Sequence, residues 1–190
     1  MATQAPVRAV VFDAYGTLFD VYSVALLAEQ MFPGQGNALG VLWRDKQIEY
    51  TRLTSMSDRY RPFWELTRAA LRHAAQRLAL PLSDAAEAQL MNQYRHLSAF
   101  PENRGVLAEL ARRGVPAAIL SNGDPQMLAV AVKSAGFQDF LAHVLSADAV
   151  RKYKTDAAAS APGPKAFAIP PRQILFVPST AGPLVRVPAT

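Results

Sequence analysis

A short apolar run that ends in an acid, residues 7–20 (VRAVVFDAYGTLFD), constrains the fold more than any other stretch. The run is rich in Val and Phe and too short for a helix, which is typical of a buried parallel strand. Asp13 would then lie at the carboxyl end of the strand, where open α/β sheets bind ligands. Gly16 permits a tight turn beyond the strand, and Thr17 offers a hydroxyl that could hold a carboxylate oxygen or cap the next segment.

Asp13 has a structural interpretation as well as a functional one. As an ordinary loop residue it would only accept hydrogen bonds from neighbouring amides. An acid at the end of so apolar a run, however, costs desolvation free energy that a surface loop avoids. We therefore interpret Asp13 as a functional carboxylate.

Three more apolar runs predict further strands of the same sheet, at 115–120, 143–146 and 174–177. Helices are predicted over 103–113 and 126–135, with a glycine after each. The first of these strands ends in Ser121-Asn122-Gly123-Asp124-Pro125, in which Asp124 is expected to cap the helix that starts at Pro125.

Residues 21 to about 100 contain no strand pattern and are predicted to be helical, with breaks at Phe32-Pro33-Gly34 and Leu80-Pro81. This helical segment follows directly after the first strand and its loop. Arg44 and Ile48 lie four residues apart within it and so share one helix face.

Composition restricts the possible classes of protein. The chain has 190 residues, enough to bury roughly 70% of its unfolded surface in one core with a small additional domain. It has no Cys, which excludes disulfides and thiolate metal sites and fits a reducing cytoplasm. No apolar stretch is typical of a signal peptide or a membrane-spanning helix, so we expect a soluble cytoplasmic protein without membrane association.

The net charge of +5 comes mostly from Arg residues scattered along helical stretches. Nucleic-acid-binding proteins more often concentrate Lys and Arg between aromatic residues, so this function is not favoured. A modest positive field would instead attract a small anionic substrate. For most of these arginines, simple solvation of a helix face is an equally good explanation.

The segment Asp13-Ala14-Tyr15-Gly16-Thr17-Leu18 resembles the first motif of the haloacid dehalogenase superfamily, specifically its L-2-haloacid dehalogenase branch. In the phosphatases of that superfamily, the residue two positions after the nucleophilic Asp is a second Asp that protonates the departing alkoxide. Here that residue is Tyr15. A halide leaves as a stable anion and needs no general acid, so the difference favours a dehalogenase.

The resemblance implies an α/β fold, with a Rossmann-like parallel sheet as core and an inserted all-helical cap. The core would comprise residues 1–20 and 100–190, and the cap residues 21–99. Relatives work without metal or other cofactor, and many are homodimers. These properties are expectations for this chain.

Two further motifs support the same resemblance. Leu-Ser-Asn-Gly at 120–123 matches the second motif, in which the Ser helps to bind the substrate carboxylate and the Asn amide helps to cradle the halide. The resemblance gives these roles to Ser121 and Asn122. Arg44 resembles the cap arginine that reaches the halogen or carboxylate, a task that suits a cation which stays charged when desolvated. A surface ion pair with an acid such as Glu49 is the alternative.

The resemblance also predicts an apolar wall beside the substrate. Phe63 maps onto an aromatic residue of the family's substrate cavity, and Ile48 onto an apolar neighbour; Tyr15 completes the substrate-binding set. Such a wall removes water from a carboxylate nucleophile and suppresses side reactions. On composition alone, Phe63 would be assigned to the core.

Lys154 resembles the third-motif lysine, which approaches the nucleophilic Asp and keeps it ionised by charge pairing. Several basic residues lie in the stretch 148–156, and the spacing to Tyr153 and Asp156 is what selects Lys154. The family commonly has Pro after this lysine, where this chain has Thr155.

Beyond residue 156 the resemblance weakens. Pro162 and Pro164 are expected to interrupt the helix that relatives have there. Relatives place a Ser, an Asn and an Asp after the fourth strand, and the aligned residues are Pro178, Thr180 and Pro183; no Asp or Glu follows residue 156. We expect the family's final strand and helix to be missing, in a C-terminus that is strongly divergent, truncated or altered in reading frame.

The implied reaction is the hydrolysis of short-chain L-2-haloalkanoic acids to D-2-hydroxy acids through an ester of Asp13. Without the fourth-motif acid, we expect the second stage, hydrolysis of the ester, to be impaired. Two alternatives remain open. One is a non-catalytic remnant that binds or does nothing, and the other is a magnesium-dependent phosphatase, which would need a further carboxylate and an acid in place of Tyr15.

Overall fold

A central sheet organises the computed structural model, which describes residues 6–154, 156–179 and the backbone of 185–186. Its strands are β1 (Ala9–Phe12), β2 (Ala117–Ser121), β3 (Leu141–Ser146), β4 (Ile174–Val177) and β5 (Val185–Arg186). They lie in the order β3-β2-β1-β4-β5. The first four are parallel, whereas the two-residue β5 runs antiparallel to β4. The expected α/β fold with a Rossmann-like parallel sheet is confirmed.

Four helices lie between β1 and the next core helix. They are α1 (Val24–Met31), α2 (Gly36–Met56), α3 (Phe63–Arg77) and α4 (Asp84–Arg95), followed by α5 (Asn103–Arg112), α6 (Pro125–Ala135) and α7 (Pro162–Phe167). The two predicted breaks, at 32–34 and 80–81, separate α1 from α2 and α3 from α4. A third break, at 57–62, was not predicted. In the parts of the chain that the structure describes, no helix has the length and apolarity needed to cross a membrane.

Both faces of the sheet are covered, as its apolar strands predict. All four residues of β1 are buried. On one face Val10 and Phe12 belong to a large apolar cluster, and on the other face Ala9 and Val11 belong to a smaller one. The large cluster continues into the helical insertion, where Trp43 is fully buried. Each such side chain contributes about 1.5–3 kcal/mol by burial, so sheet and helices stabilise each other.

The helix α6 begins and ends as the sequence predicts. The Asp124 carboxylate accepts a hydrogen bond from the Met127 N–H at 2.9 Å, and Pro125 occupies the first turn. Gly136 ends the helix with a φ of +66°, a left-handed conformation that costs glycine little.

The prediction that Pro162 and Pro164 interrupt a helix is wrong. Both prolines lie in the first turn of the six-residue helix α7, which begins at Pro162. The first N–H groups of a helix have no partner within it, so proline is tolerated there. Farther along, Thr180 and Pro183 lie outside the described residues.

The carboxyl ends of the parallel strands meet at one edge of the sheet. The backbone N–H of Asp13, just after β1, donates to the Val177 carbonyl at the end of β4 (2.9 Å). Ser121 ends the neighbouring strand β2. The loops after these strands, together with α2 and the start of α3, enclose the site described next.

Candidate active site

Asp13 is held at the end of β1 with its side chain only 14% exposed. Its Oδ1 accepts hydrogen bonds from the Ala14 N–H (2.8 Å) and from the Lys154 ammonium (2.7 Å). Neither bond involves Oδ2, which has no hydrogen-bond partner among the described residues. One carboxylate oxygen is therefore fixed, and the other keeps its lone pairs available for reaction.

Lys154 reaches Asp13 from the loop that follows β3. Its backbone N–H donates to Asn122 Oδ1 at 2.7 Å, which ties this loop to the end of β2. Its ammonium also lies 5.1 Å from the centre of the Phe176 ring. Burial lowers the pKa of Lys154 below its usual value, and the opposing charge of Asp13 offsets only part of that effect. The ion pair thus lies in a partly dehydrated position, where its attraction is stronger than in water.

A cavity of about 140 Å³ opens above Asp13. Its lining comes from the ends of β1, β2 and β4, from the loop after β3 and from α2 and α3. The lining residues are Asp13, Tyr15, Arg44, Gln47, Ile48, Thr51, Arg52, Phe63, Ser121, Asn122, Lys154 and Ser179. Three of these side chains are cationic at neutral pH and one is anionic, so this lining attracts small anions.

Arg44 projects from α2 into this cavity. Its Nη2 donates to the Tyr15 carbonyl (2.9 Å) and its Nη1 to Gln47 Oε1 (2.7 Å). The alternative ion pair with Glu49 does not form, because Glu49 pairs with Lys46 at 2.6 Å. Arg44 therefore bridges the helical insertion and the loop after β1.

Aromatic rings form one wall of the cavity. The Tyr15 ring stacks against the rings of Phe63 and Tyr94, with centroids 5.6 and 5.7 Å apart, and Tyr15 is 2% exposed. Burial raises the pKa of the Tyr15 hydroxyl well above its usual value. The phenol is therefore neutral, and a far weaker proton donor than a carboxylic acid would be at this position.

Ser121 and Asn122 approach the cavity from the end of β2. The Ser121 hydroxyl is fully buried and accepts the Gly123 N–H at 3.1 Å. The Asn122 carbonyl oxygen is occupied by Lys154, and its amide Nδ2 has no partner within the described ranges. A hydroxyl proton and an amide NH₂ are thus available to an anion in the cavity.

A family model for haloacid dehalogenase-like hydrolases matches residues 7–177, nearly the whole described chain. The chain belongs to the haloacid dehalogenase-like hydrolases.

Relatives of this haloacid dehalogenase-like hydrolase include an (S)-2-haloacid dehalogenase of Pseudomonas sp. (strain YL), which is 42% identical over 175 residues, 92% of this chain and 75% of the relative. The crystal structure of an L-2-haloacid dehalogenase shares 61% identity with a TM-score of 0.89, covering 92% of this chain and 78% of that one. The L-2-haloacid dehalogenase from Xanthobacter autotrophicus, solved with chloropropionic acid covalently bound, shares 40% identity with a TM-score of 0.84, covering 90% and 69%.

The structure places eight of the nine predicted site residues of this haloacid dehalogenase-like hydrolase around the cavity. The exception is Thr17, which does not line it. The Thr17 hydroxyl is buried without a hydrogen-bond partner among the described residues, and its backbone carbonyl accepts from Asn103 Nδ2 at 2.9 Å. The role predicted for this hydroxyl stays a prediction.

Sequence reasoning missed four lining residues of this hydrolase, namely Gln47, Thr51, Arg52 and Ser179. Three of them belong to α2, at spacings of three, seven and eight from Arg44. These spacings place residues on one helix face, so periodicity from Arg44 would have found them. Ser179 follows β4 at the same sheet edge as Asp13, so its position just beyond the end of a parallel strand is the signal that could have found it.

Proposed function

We propose that this chain hydrolyses short-chain L-2-haloalkanoic acids to D-2-hydroxy acids, the activity of an (S)-2-haloacid dehalogenase. The observation that carries the proposal is the state of Asp13, the one carboxylate in the described lining. Its Oδ1 accepts a hydrogen bond from Lys154, while its Oδ2 has no hydrogen-bond partner among the residues that the structure describes. The covalently bound chloropropionic acid in the Xanthobacter structure supports a reaction through an ester.

In the first stage, Asp13 Oδ2 attacks C2 of the substrate from the side opposite the halogen. The new C–O bond forms as the carbon–halogen bond breaks, and the halide leaves with the bonding electron pair. Holding both reactants in line could lower the barrier by roughly 7–11 kcal/mol in the best-oriented cases. Ile48 and Phe63 would keep water away from the attacking oxygen.

The substrate brings two electron-rich groups, a carboxylate and a halogen. We assign Arg44, Ser121 and Asn122 to hold them, because these residues offer a fixed cation, a hydroxyl and an amide in one cavity. A charged guanidinium favours the departing halide as its negative charge develops.

In the second stage, water attacks the carbonyl carbon of the Asp13 ester. Oδ1 is then the carbonyl oxygen, and it becomes negatively charged in the tetrahedral intermediate. The Ala14 N–H and the Lys154 ammonium already donate to this atom. They therefore serve as the oxyanion donors of the second stage. As the intermediate collapses, the bond between the carbonyl carbon and the substrate oxygen breaks, the departing alkoxide takes one proton of the water, and the other proton passes to solvent. The Asp13 carboxylate is restored, and the hydroxy acid is released.

The described lining offers no evident base to activate the water that attacks the ester in the second stage. The described lining contains no second carboxylate that could accept a proton from it, and Pro183 replaces the aligned acid in the sequence. We expect the ester to form faster than it is hydrolysed, so that alkylated Asp13 accumulates.

Chloride release from L- and D-2-chloropropionate, combined with intact-mass measurement of the protein, tests both stages. Chloride released from the L-isomer alone, with a transient propionate adduct, is the expected result. Steady multiple turnover without an adduct would contradict stalling at the ester. A folded protein that forms neither chloride nor adduct would support the non-catalytic alternative.

The phosphatase alternative is tested with p-nitrophenyl phosphate and Mg²⁺. Over residues 6–154 and 156–179, no group of three His, Asp or Glu side chains is placed to hold a metal ion. We expect no hydrolysis of this ester by a preparation that releases chloride.

We further propose that residues 21–99 act as a cap domain over a core of 1–20 and 100–190. The contact of Arg44 with the loop after β1 supports this division. We also propose that the chain works in the cytoplasm, a location supported by its lack of Cys. We propose that it forms a homodimer there, as the family resemblance of its sequence implies. Light scattering after size-exclusion chromatography measures the oligomeric state, and a monomer throughout would contradict the dimer.

A further inference from the structure

Gln47 is a fully buried amide on α2 that lines the cavity and has no role in the mechanism above. Its Oε1 accepts hydrogen bonds from Arg44 Nη1 (2.7 Å) and from the Tyr94 hydroxyl (2.9 Å), while its Nε2 donates to Thr67 Oγ1 (2.6 Å). The opposite orientation of the amide would point donors at the Arg44 guanidinium. The orientation of Gln47 is therefore determined by its partners.

The far side of this network is anchored in buried backbone. The Thr67 hydroxyl donates to the Phe63 carbonyl (2.8 Å), and the Trp43 indole N–H donates to the Thr67 carbonyl (2.8 Å). Thr67 is fully buried and Trp43 is 1% exposed. A buried network of hydrogen-bonded groups is rigid, so the position of Gln47 Oε1, which accepts the hydrogen bond from Arg44, is fixed.

The partners of Arg44 are both electrically neutral. They are the amide oxygen of Gln47 and the backbone carbonyl of Tyr15. Among the described residues no carboxylate forms an ion pair with Arg44, and the nearby Asp13 pairs with Lys154. The Arg44 guanidinium is thus held in place without a carboxylate partner in the described part of the chain.

We propose that Gln47 is a positioning residue that aims the Arg44 guanidinium into the cavity without neutralising it. The substrate anion is then the partner of opposite charge that Arg44 meets. This inference deepens the proposed function and rests on it for the identity of the substrate. According to this inference, the residue at position 47 determines whether Arg44 is available to bind an anion or is already paired with a charged neighbour.

The chemistry of position 47 explains why an amide is needed. A Glu of the same shape would place a carboxylate about where Oε1 lies, and its charge-assisted bond to Arg44 would be stronger than the amide's. That bond would cancel the charge that the substrate needs. An apolar side chain would leave the charge intact but would remove the support, so that the long Arg44 side chain could adopt other rotamers.

Two substitutions separate these effects. Gln47→Glu keeps the shape and adds a charge, whereas Gln47→Met keeps the approximate length and removes the hydrogen bonds. Gln76→Glu, on an exposed position of α3, controls for the added charge alone. The measurements are the affinity for propionate by calorimetry, which requires no turnover, and the kcat and KM for L-2-chloropropionate, each with a thermal melting curve.

For Gln47→Glu we expect propionate affinity to fall and KM to rise by at least about tenfold, with a smaller change in kcat. Affinity relative to the wild type at the same pH, a ratio that removes the effect of protonation of propionate itself, should recover as the pH is lowered and the introduced Glu becomes neutral. Gln47→Met should weaken binding without this pH dependence, and Gln76→Glu should bind as the wild type does. If Gln47 had a purely structural role, the ratio of propionate affinities between Gln47→Glu and the wild type would not depend on pH.

Equal propionate affinities in the wild type and Gln47→Glu, including no binding by either, overturn the inference. Loss of binding in Gln47→Glu that does not change with pH also overturns it. Should Gln47→Glu fail to fold, Gln47→Met decides, and wild-type propionate affinity in that variant overturns the inference. A wild type that binds propionate but releases no halide overturns the proposed function alone, so the two failures are distinguishable.

Discussion

Lys154 Nζ lies 2.7 Å from Asp13 Oδ1, although 141 positions separate the two residues in the chain. They meet because the loop after β3 folds back to the end of β1, where Asn122 Oδ1 fixes the Lys154 backbone. The pairing distinguishes the two oxygens of one carboxylate. In the proposed mechanism, Oδ1 is the atom that later becomes the oxyanion, and Oδ2 is the nucleophile.

Asp13→Asn should abolish the first stage. The amide is a poor nucleophile and leaves Lys154 without its counter-charge, so we expect chloride release to fall by at least ~10³-fold. Chloride assays with intact-mass analysis check this, and Asp139→Asn, on an exposed turn, is the matched control. Unchanged turnover in a folded Asp13→Asn preparation would disprove the mechanism.

The lowered pKa of Lys154 predicts an alkaline limit to activity. A normal lysine loses its proton near pH 10.5, and burial moves that loss to lower pH. As pH rises through the lowered pKa, the ammonium that holds Oδ1 disappears, and kcat/KM should fall. Lys154→Arg, which stays charged, should be slower near neutral pH but should keep its activity to higher pH. A pH profile with the same alkaline limb in both proteins would assign the limb to another group.

The same pKa shift affects stability in a defined direction. The pKa of Lys154 is lower in the folded state than in the unfolded state. At pH values between these two pKa values, the unfolded chain therefore binds more protons than the folded chain. The Lys154 contribution to the free energy of unfolding should therefore rise with pH across that window. Urea titrations at several alkaline pH values, compared with Lys154→Arg, measure this contribution.

Much of the site could be predicted because it lies at strand ends. A buried strand that stops at a polar residue fixes where that residue points, and this placed Asp13 and Ser121 correctly at the cavity. Lys154 was identified by motif spacing, since several cations share its loop. The predictions for Asp13 and Ser121 needed only local sequence and the rule that parallel strands end at one edge, whereas Lys154 also needed the family resemblance.

The hydrogen-bond network that holds Arg44 through Gln47 could not be predicted in the same way. Gln47 bonds to groups on α3 and α4, and the distances depend on how those helices pack. Helical periodicity shows that Gln47 shares a face with Arg44, but it does not identify the residues of other helices that face it. The prediction that Pro162 and Pro164 interrupt a helix was wrong for a different reason. It applied a rule for helix interiors to residues that lie in the first turn of α7.

Gly123→Ala should disturb the aromatic wall. A Cβ at this position would lie 2.6 Å from Tyr15 Cε2, and the Tyr15 ring is confined between Phe63 and Tyr94. We expect a loss of about 1–3 kcal/mol in the free energy of unfolding, together with reduced activity, because the Tyr15 carbonyl also holds Arg44. Chemical denaturation and chloride assays measure both effects.

The control for this substitution is Gly105→Ala. Gly105 lies in α5, and a Cβ there would meet nothing within 4 Å. Alanine is the better helix former, so we expect this variant to gain about 0.5–1 kcal/mol. Equal stability changes in the two variants would show that contact with Tyr15 is not the cause.

A set of hydrogen bonds, which we call the tyrosine latch, joins the last turn of α2 and the α2–α3 connection to the loop that carries Lys154. It comprises the contacts of Tyr153 with Ser55 and Arg61, and of Tyr60 with Asp148. The Tyr153 N–H donates to Ser55 Oγ at 2.8 Å, and the Tyr153 hydroxyl donates to the Arg61 carbonyl. The Tyr60 hydroxyl donates to the Asp148 carboxylate. The latch therefore fixes the residue that directly precedes Lys154.

Ser55→Ala removes one bond of the tyrosine latch without changing the cavity lining. The Tyr153 N–H loses its acceptor, so we expect the free energy of unfolding to fall by about 1 kcal/mol. The backbone of Lys154 should also become less restricted, which should reduce kcat several-fold. Ser57→Ala, on an exposed position of the same connection, should change stability by less than about 0.5 kcal/mol. Denaturation and chloride assays compare the two, and wild-type values for Ser55→Ala would show that the latch does not position Lys154.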